Sequence, residues 1–290
     1  MNPLDVSADE YRKVLARVAE LCADYAAAIV DLPSFPNSTA GATTLELFGG
    51  PAPKQGAGPA AIEALRDVLE HSRPPSPRFF GSVLGSGEPV AAAADLVASL
   101  ANQNVTAWRS APAAVTIERT VVRWLAEAIG CAGFSGSLTG GGSSANLMAL
   151  AIAREAKLPA NEDGVRPGVF YASEEIHMSI PKAIALLGFG HKALRLVPVD
   201  ERFRIRVADL ERAMDEDARA GRRPVAVIAS AGTVNTGAID PLAEVASIAR
   251  GHGAWFHVDG AYGALAALGA PEKFRGIELA DSLSLDAHKW

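Results

Sequence analysis

The chain has 290 residues, 49% of them hydrophobic and 6% aromatic, with a formal net charge of −6 and two cysteines. That length suffices for one large domain or two modest ones, and the mild, scattered charge gives no basic stripe for nucleic acid and no cationic helix for a membrane surface. Cys22 and Cys131 lack metal-ligand or CxxC spacing and no apolar run is long enough to span a bilayer, so the sequence reads as a cytoplasmic protein with inert thiols and no targeting segment.

Apolar residues recur at helical spacing over residues 9–30 (Val14, Leu15, Val18, Leu21, Cys22, Tyr25), predicting a long amphipathic helix. Residues 31–59, rich in Pro, Gly, Ser and Thr, read as an extended linker. A helix over 60–70 and a proline-rich break at 72–77 follow. From residue 88 the character changes. Helices are predicted at 88–102, 113–129, 143–157, 178–188, 207–220 and 241–251, with short β-rich runs at 169–172, 193–199, 225–230, 254–258 and 282–285. Short apolar strands alternating with helices predict an α/β fold, its mostly parallel sheet flanked by helices. Ligands of such sheets bind at the carboxyl ends of the strands.

Three motifs fall where that rule matters. The first is Thr139-Gly140-Gly141-Gly142-Ser143-Ser144-Ala145-Asn146, directly before an apolar helix. Glycines let the backbone approach an anion, and Ser143 and Ser144 lie where free N–H groups and the helix dipole favour a phosphate. The same string is also that of a capped flexible loop, and it satisfies the weak dinucleotide pattern GxGxxA without the acidic residue at the usual offset. The second is His257-Val258-Asp259-Gly260-Ala261-Tyr262-Gly263. It puts a carboxylate at a strand end, either to face a ligand or to cap the loop. His252, His257 and Asp259 lack a further strong ligand, so no metal site is expected. The third, Ala280 to Trp290, is a strand ending in His288-Lys289-Trp290. A lysine there is a surface cation by default; partial burial would make its amine available for a Schiff base.

Pyridoxal phosphate needs a phosphate cradle, an acid for its pyridine nitrogen and a lysine for its aldehyde, and the three motifs supply one of each in that order. With them the sequence resembles the group II pyridoxal-phosphate-dependent decarboxylases, the family of aromatic-amino-acid, histidine and glutamate decarboxylases. Further matching stretches are Pro77-Arg78-Phe79-Phe80-Gly81, Ala111-Pro112-Ala113 with Glu118, Ser173-Glu174-Glu175-Ile176-His177, and Ala231 to Pro241. The resemblance runs in register from about Arg78 to the last residue.

It implies the large domain of a fold-type I (aspartate-aminotransferase-like) pyridoxal-phosphate enzyme over residues 78–290, preceded by an N-terminal helical segment and linker over 1–77. Gly142 and Ser143 would bind the phosphate with His288 close by. His177 would stack on the cofactor ring and assist proton transfer, and Asp259 would pair with the pyridine nitrogen. Ser230 and Ala261 would line the site. Lys289 would hold the cofactor as an internal aldimine, and an L-amino acid would be decarboxylated to its amine. The expected partners are a small amino-acid substrate and a second copy of the chain in a homodimer, with neither nucleic acid nor membrane. Family members continue past the lysine into a small C-terminal domain and a mobile loop bearing a tyrosine, so the resemblance also implies either a fragment of a longer sequence or a truncated protein, inactive alone.

This sequence departs from the family at Ser76, where a His is frequent, at Asp286, where Asn is usual, and at Ala101-Asn102-Gln103-Asn104-Val105-Thr106, which is polar where the aromatic-specific branch is apolar. Alternatives are another fold-type I lyase (phosphosphingolipid-lyase-like or aldehyde-forming), a non-catalytic cofactor-binding protein, or, remotely, a nucleotide-binding oxidoreductase, which would give Lys289 no role.

Overall fold

The computed structural model describes residues 6–35, 40–52, 54–83 and 85–289. The chain divides into two compact units, Met1–Gly87 and Glu88–Trp290; the break at 87/88 follows the sequence boundary at 77/78.

In the first unit, α1 (Ala8–Ala28) opens with a capping box. The Ser7 hydroxyl accepts from the Glu10 backbone N–H, and the Glu10 carboxylate accepts from that of Ser7. The stretch expected to be an extended linker contains a helix, α2 (Ala40–Phe48). Its Ala, Leu and Glu residues outweigh its threonines and glycine in helix propensity, a balance that composition averaged over 31–59 conceals. A 3₁₀ turn (Gly58–Glu63) then leads into α3 (Ala64–His71). Arg17 of α1 grips Glu63 in that turn with two parallel bonds of 2.8 and 2.9 Å.

The second unit begins with α4 (Pro89–Ala101) and α5 (Pro112–Ala128), each with proline in the first turn, where its missing N–H costs nothing. Next come α6 (Gly142–Lys157), β1 (Val169–Ser173), α7 (Ser179–Leu186), β2 (Leu194–Val197), α8 (Val207–Arg219), β3 (Pro224–Ser230), α9 (Leu242–Gly251), β4 (Trp255–Gly260) and β5 (Ser282–Leu285). Every strand pair is parallel and the order is β2-β1-β3-β4-β5. The chain therefore reverses its direction of travel across the sheet between β1 and β3, the kind of place where open α/β sheets leave a crevice.

Alternation along the strands sorts side chains into two cores. Tyr171, Val227, Ala229, Phe256 and Val258 face α8 and α9, among them Leu210, Met214, Leu242 and Val245. Phe170, Ala172, Ala226 and Ile228 face α6 and α7, where Leu150, Ile180 and Ile184 are fully buried. Burying each such aliphatic side chain contributes about 1.5–3 kcal/mol, so β3, buried from Val225 to Ser230, is pinned from both sides. Asp217 of α8 is a buried charge that serves the fold. It accepts from Tyr171 Oη (2.7 Å), Arg195 Nη1 (2.6 Å) and Arg222 Nε (2.8 Å), partners enough to hold it ionised in the interior.

Candidate active site

The ends of β3, β4 and β5, the segment after β1 and the start of α6 enclose a cavity lined by Gly142, Ser143, Asn146, His177, Ser230, Asp259, Ala261 and Lys289, among others. Gly141, at φ 131°, adopts a backbone conformation that side chains forbid and turns the loop so that α6 starts at Gly142. The first-turn N–H groups of Gly142 and Ser143 have no intrahelical acceptor. Gly142 is needed for space: a Cβ there would lie 2.9 Å from Ala261 Cβ and 3.9 Å from Lys289 Nζ.

β4 runs two residues beyond its expected end, to Gly260, so His257 and Asp259 share the face turned to α6. Asp259 is buried. Its Oδ1 accepts from the Ala261 N–H (3.2 Å) and the Ser284 hydroxyl (3.0 Å), and its Oδ2 accepts from Asn146 Nδ2 (2.9 Å). His257 is wholly buried; desolvation lowers its pKa, opposed by the Asp259 charge. Its Nε2 lies 3.0 Å from Asn146 Oδ1, and its Nδ1 2.9 Å from Ser282 Oγ and 3.2 Å from the Ser282 carbonyl. Among the described residues no His, Cys, Asp and Glu cluster could hold a metal ion.

Ser230 ends β3 and is fixed by Asp240. The Asp240 carboxylate accepts from the Ser230 and Ile205 N–H groups at 2.8 and 2.7 Å, while the Ser230 carbonyl accepts from the Asp240 N–H at 2.9 Å. Burial pushes the Asp240 carboxyl up from 3.8 to about 6, against those two donors. A carboxyl with a raised folded value binds its proton more tightly in the native state, so this contribution is fully present below about pH 4 and lost as the pH climbs to about 6. The stability of the protein relative to an Asp240→Asn variant, from urea denaturation, is expected to fall across that window by about 3 kcal/mol at most and to level above it. A difference that stays flat from pH 4 to 7 contradicts this.

Of the residues singled out in the sequence, Gly142, Ser143, His177, Ser230, Asp259, Ala261 and Lys289 meet in the cavity. His288 does not line it; exposed, it borders a neighbouring groove with Gly141 and Gly142. Trp290 lies outside the described residues. Asp286, the departure from the usual Asn, accepts from the His288 N–H at 3.0 Å, a bond an Asn oxygen also makes. Sequence reasoning missed the parts played by Asn146, Ser179 and Ser284, whose side chains are buried around Asp259. The available signal was polarity at positions where helix and strand periodicity call for apolar residues.

Comparison with known proteins places these features in a group. The chain is 41% identical over 217 residues to an aromatic-L-amino-acid decarboxylase of Bacillus atrophaeus, covering 74% of this chain and 45% of the relative. It is 34% identical over 235 residues to a cysteine sulfinic acid decarboxylase of Mus musculus, covering 79% of this chain and 48% of the relative. The chain spans about half the length of these curated relatives. The structure of Oryza sativa TDC with PLP and tryptamine superposes with a TM-score of 0.88 at 31% identity, over 100% of this chain and 62% of that one. The sheet and its helices are thus those of fold-type I enzymes. The family described as the pyridoxal-dependent decarboxylase conserved domain matches residues 63–290, and with most of its length inside that match the chain belongs to the pyridoxal-dependent decarboxylases.

Proposed function

We propose that this cavity binds pyridoxal 5'-phosphate and that the protein decarboxylates an L-amino acid to the corresponding amine. One observation carries the reading: Lys289, Asp259 and the start of α6, from three distant parts of the sequence, line one cavity. The donor set suits the cofactor. Helix-start N–H groups and the Ser143 hydroxyl offer donors to a phosphate, Asp259 offers a carboxylate to a pyridinium, and the missing side chain at Gly142 lets the helix start approach Ala261 and Lys289 closely.

The roles follow from the chemistry of each group. Lys289, whose side chain lines the cavity, would hold the cofactor through its aldehyde, its amine being the nucleophile the site supplies. Asp259, kept in place by Asn146, Ser284 and the Ala261 N–H, would keep the pyridine nitrogen protonated. His177 would lie against the ring and Ser230 would meet its polar edge, while His288 lies outside the cavity and borders only the loop at Gly141 and Gly142. Bound there, pyridoxal phosphate supplies an electron sink for the bond that releases carbon dioxide. The named relatives act on aromatic amino acids and on cysteine sulfinic acid, and the cavity residues do not choose between such side chains. No described helix is long and apolar enough to cross a membrane. The proposed cytoplasmic setting draws on the two free thiols. A homodimer is proposed from the family resemblance together with exposed Ile117 and Trp124 on one face of α5.

The test is product analysis. Purified protein carrying this chain, loaded with pyridoxal phosphate, is given aromatic, acidic and basic amino acids. Equal amounts of carbon dioxide and amine from at least one of them are expected. Aldehyde in place of amine, or no carbon dioxide from any, contradicts the proposal.

A further inference from the structure

The hydrogen bonds behind the cavity have a direction that chemistry fixes. The Asp259 carboxylate already accepts from the Ala261 N–H and the Ser284 hydroxyl. The Asn146 atom 2.9 Å from its Oδ2 must be the amide nitrogen, because a carboxylate oxygen and an amide oxygen would repel. That sets the other contacts of Asn146. Its second N–H goes to Ser179 Oγ at 3.0 Å, and its oxygen faces His257 Nε2 at 3.0 Å and accepts a hydrogen bond from the Nε2–H.

Ser179 Oγ, having accepted from Asn146, has one proton to give, and His177 Nδ1 lies 2.9 Å away. The Ser179 backbone N–H points at the same nitrogen from 3.2 Å. Two donors converge on His177 Nδ1, so it carries the lone pair. On the other side, Trp255 Nε1 donates to Ser282 Oγ at 2.8 Å, and Ser282 Oγ lies 2.9 Å from His257 Nδ1. Donors therefore run one way from the Trp255 indole through Ser282 and His257 to Asn146, and divide there. One branch ends on Asp259 and the other on His177. Asn146, His257 and Ser179 are all buried, so water does not readily substitute for a missing member.

We propose that Asn146 is a positioning residue joining the two proposed cofactor-facing side chains: it orients the Asp259 carboxylate directly and, through the Ser179 hydroxyl, holds His177 Nδ1 as an acceptor so that His177 meets the cavity with the proton on Nε2. The significance for catalysis rests on the cofactor reading above, since it makes His177 a donor at Nε2 toward whatever occupies the cavity. The hydrogen-bond arrangement itself does not depend on a cofactor.

The test therefore begins without cofactor. The six histidines are labelled with nitrogen-15, long-range proton–nitrogen spectra are recorded, and the signals of His177 and His257 are assigned by their loss in His177→Gln and His257→Gln. Both rings are expected to carry their proton on Nε2, with the His177 Nδ1 resonance displaced as for an accepted hydrogen bond. Ser179→Ala should move that resonance toward a free lone pair and leave His257 unchanged, and Ser179→Thr, which keeps the hydroxyl, should restore it. Asn146→Leu should move the signals of both histidines. A proton on His177 Nδ1 in the unmodified protein overturns the proposal, as does a His177 Nδ1 resonance unmoved by Ser179→Ala. If Asn146→Leu does not fold, as judged by circular dichroism, the Ser179 pair decides the matter by itself. Pyridoxal phosphate is then titrated in by absorbance. Failure to bind would overturn the cofactor reading and leave the result on Asn146 standing.

Discussion

Lys289→Ala is expected to abolish the visible absorbance band that the protein gains on loading with pyridoxal phosphate, and to lower turnover on the order of a thousandfold or more. Lys289 lies in the short turn Ala287–Lys289 directly after β5, and its side chain reaches the cavity beside Gly142. The turn is held by the Asp286 carboxylate on the His288 N–H, not by the lysine side chain. The variant should therefore fold as the parent does, and its loss is chemical. The phosphate and ring contacts remain, so weak, colourless cofactor binding should persist. A visible band that survives in Lys289→Ala would sink the assignment of the lysine.

Asp259→Asn should act differently. The wild-type carboxylate receives three donors. An amide of the same shape must turn its own N–H₂ either toward the two donors that meet Oδ1 or toward the one that meets Oδ2, leaving at least one buried donor facing a donor. Each such mismatch costs about 1–3 kcal/mol, so the variant is expected to lose about that much stability in urea denaturation. Loss of the charge opposite a protonated ring nitrogen should lower turnover by about 10²–10³-fold. The visible band should still form, since Lys289 is intact, and that separates the two variants. Unchanged stability in Asp259→Asn would contradict the bonding described around the carboxylate.

The sheet was legible in the sequence because its strands are short β-rich runs between turns; β5 is placed to the residue, β1 and β3 differ from expectation by one residue at one end, and β2, at the sheet edge, is shorter than expected at both ends. β4 is longer at its carboxyl end, since Asp259 and Gly260 carry the composition of a turn while their backbone still pairs with Ser284 and Leu285. α2 escaped notice for the opposite reason, a helix hidden in a stretch whose average composition is that of a linker. In the cavity, the residues with a motif around them were readable: Gly142, Asp259 and Lys289 each sit in a distinctive string. Asn146 had the string but no evident task, because its partner Asp259 is 113 residues away. Ser179 has no motif around it, and Ser284 sits inside the lysine motif with nothing there to mark its task. Their meaning comes from the carboxylate and the imidazole that folding brings beside them, and single-sequence patterns do not encode such pairings.

The all-parallel order β2-β1-β3-β4-β5 has a kinetic meaning. No two neighbouring strands can be joined by a hairpin, so each pairing waits on a crossover that closes a long loop before any strand-to-strand bond forms. The cavity takes its walls from four of those five strands' ends together with a helix that precedes them all. A chain with only its early strand pairs in place has no pocket to offer, and a ligand that fits the finished cavity binds the native state alone. Cofactor capture would then mark the end of folding and draw the equilibrium toward it, increasingly so as the concentration of the ligand rises.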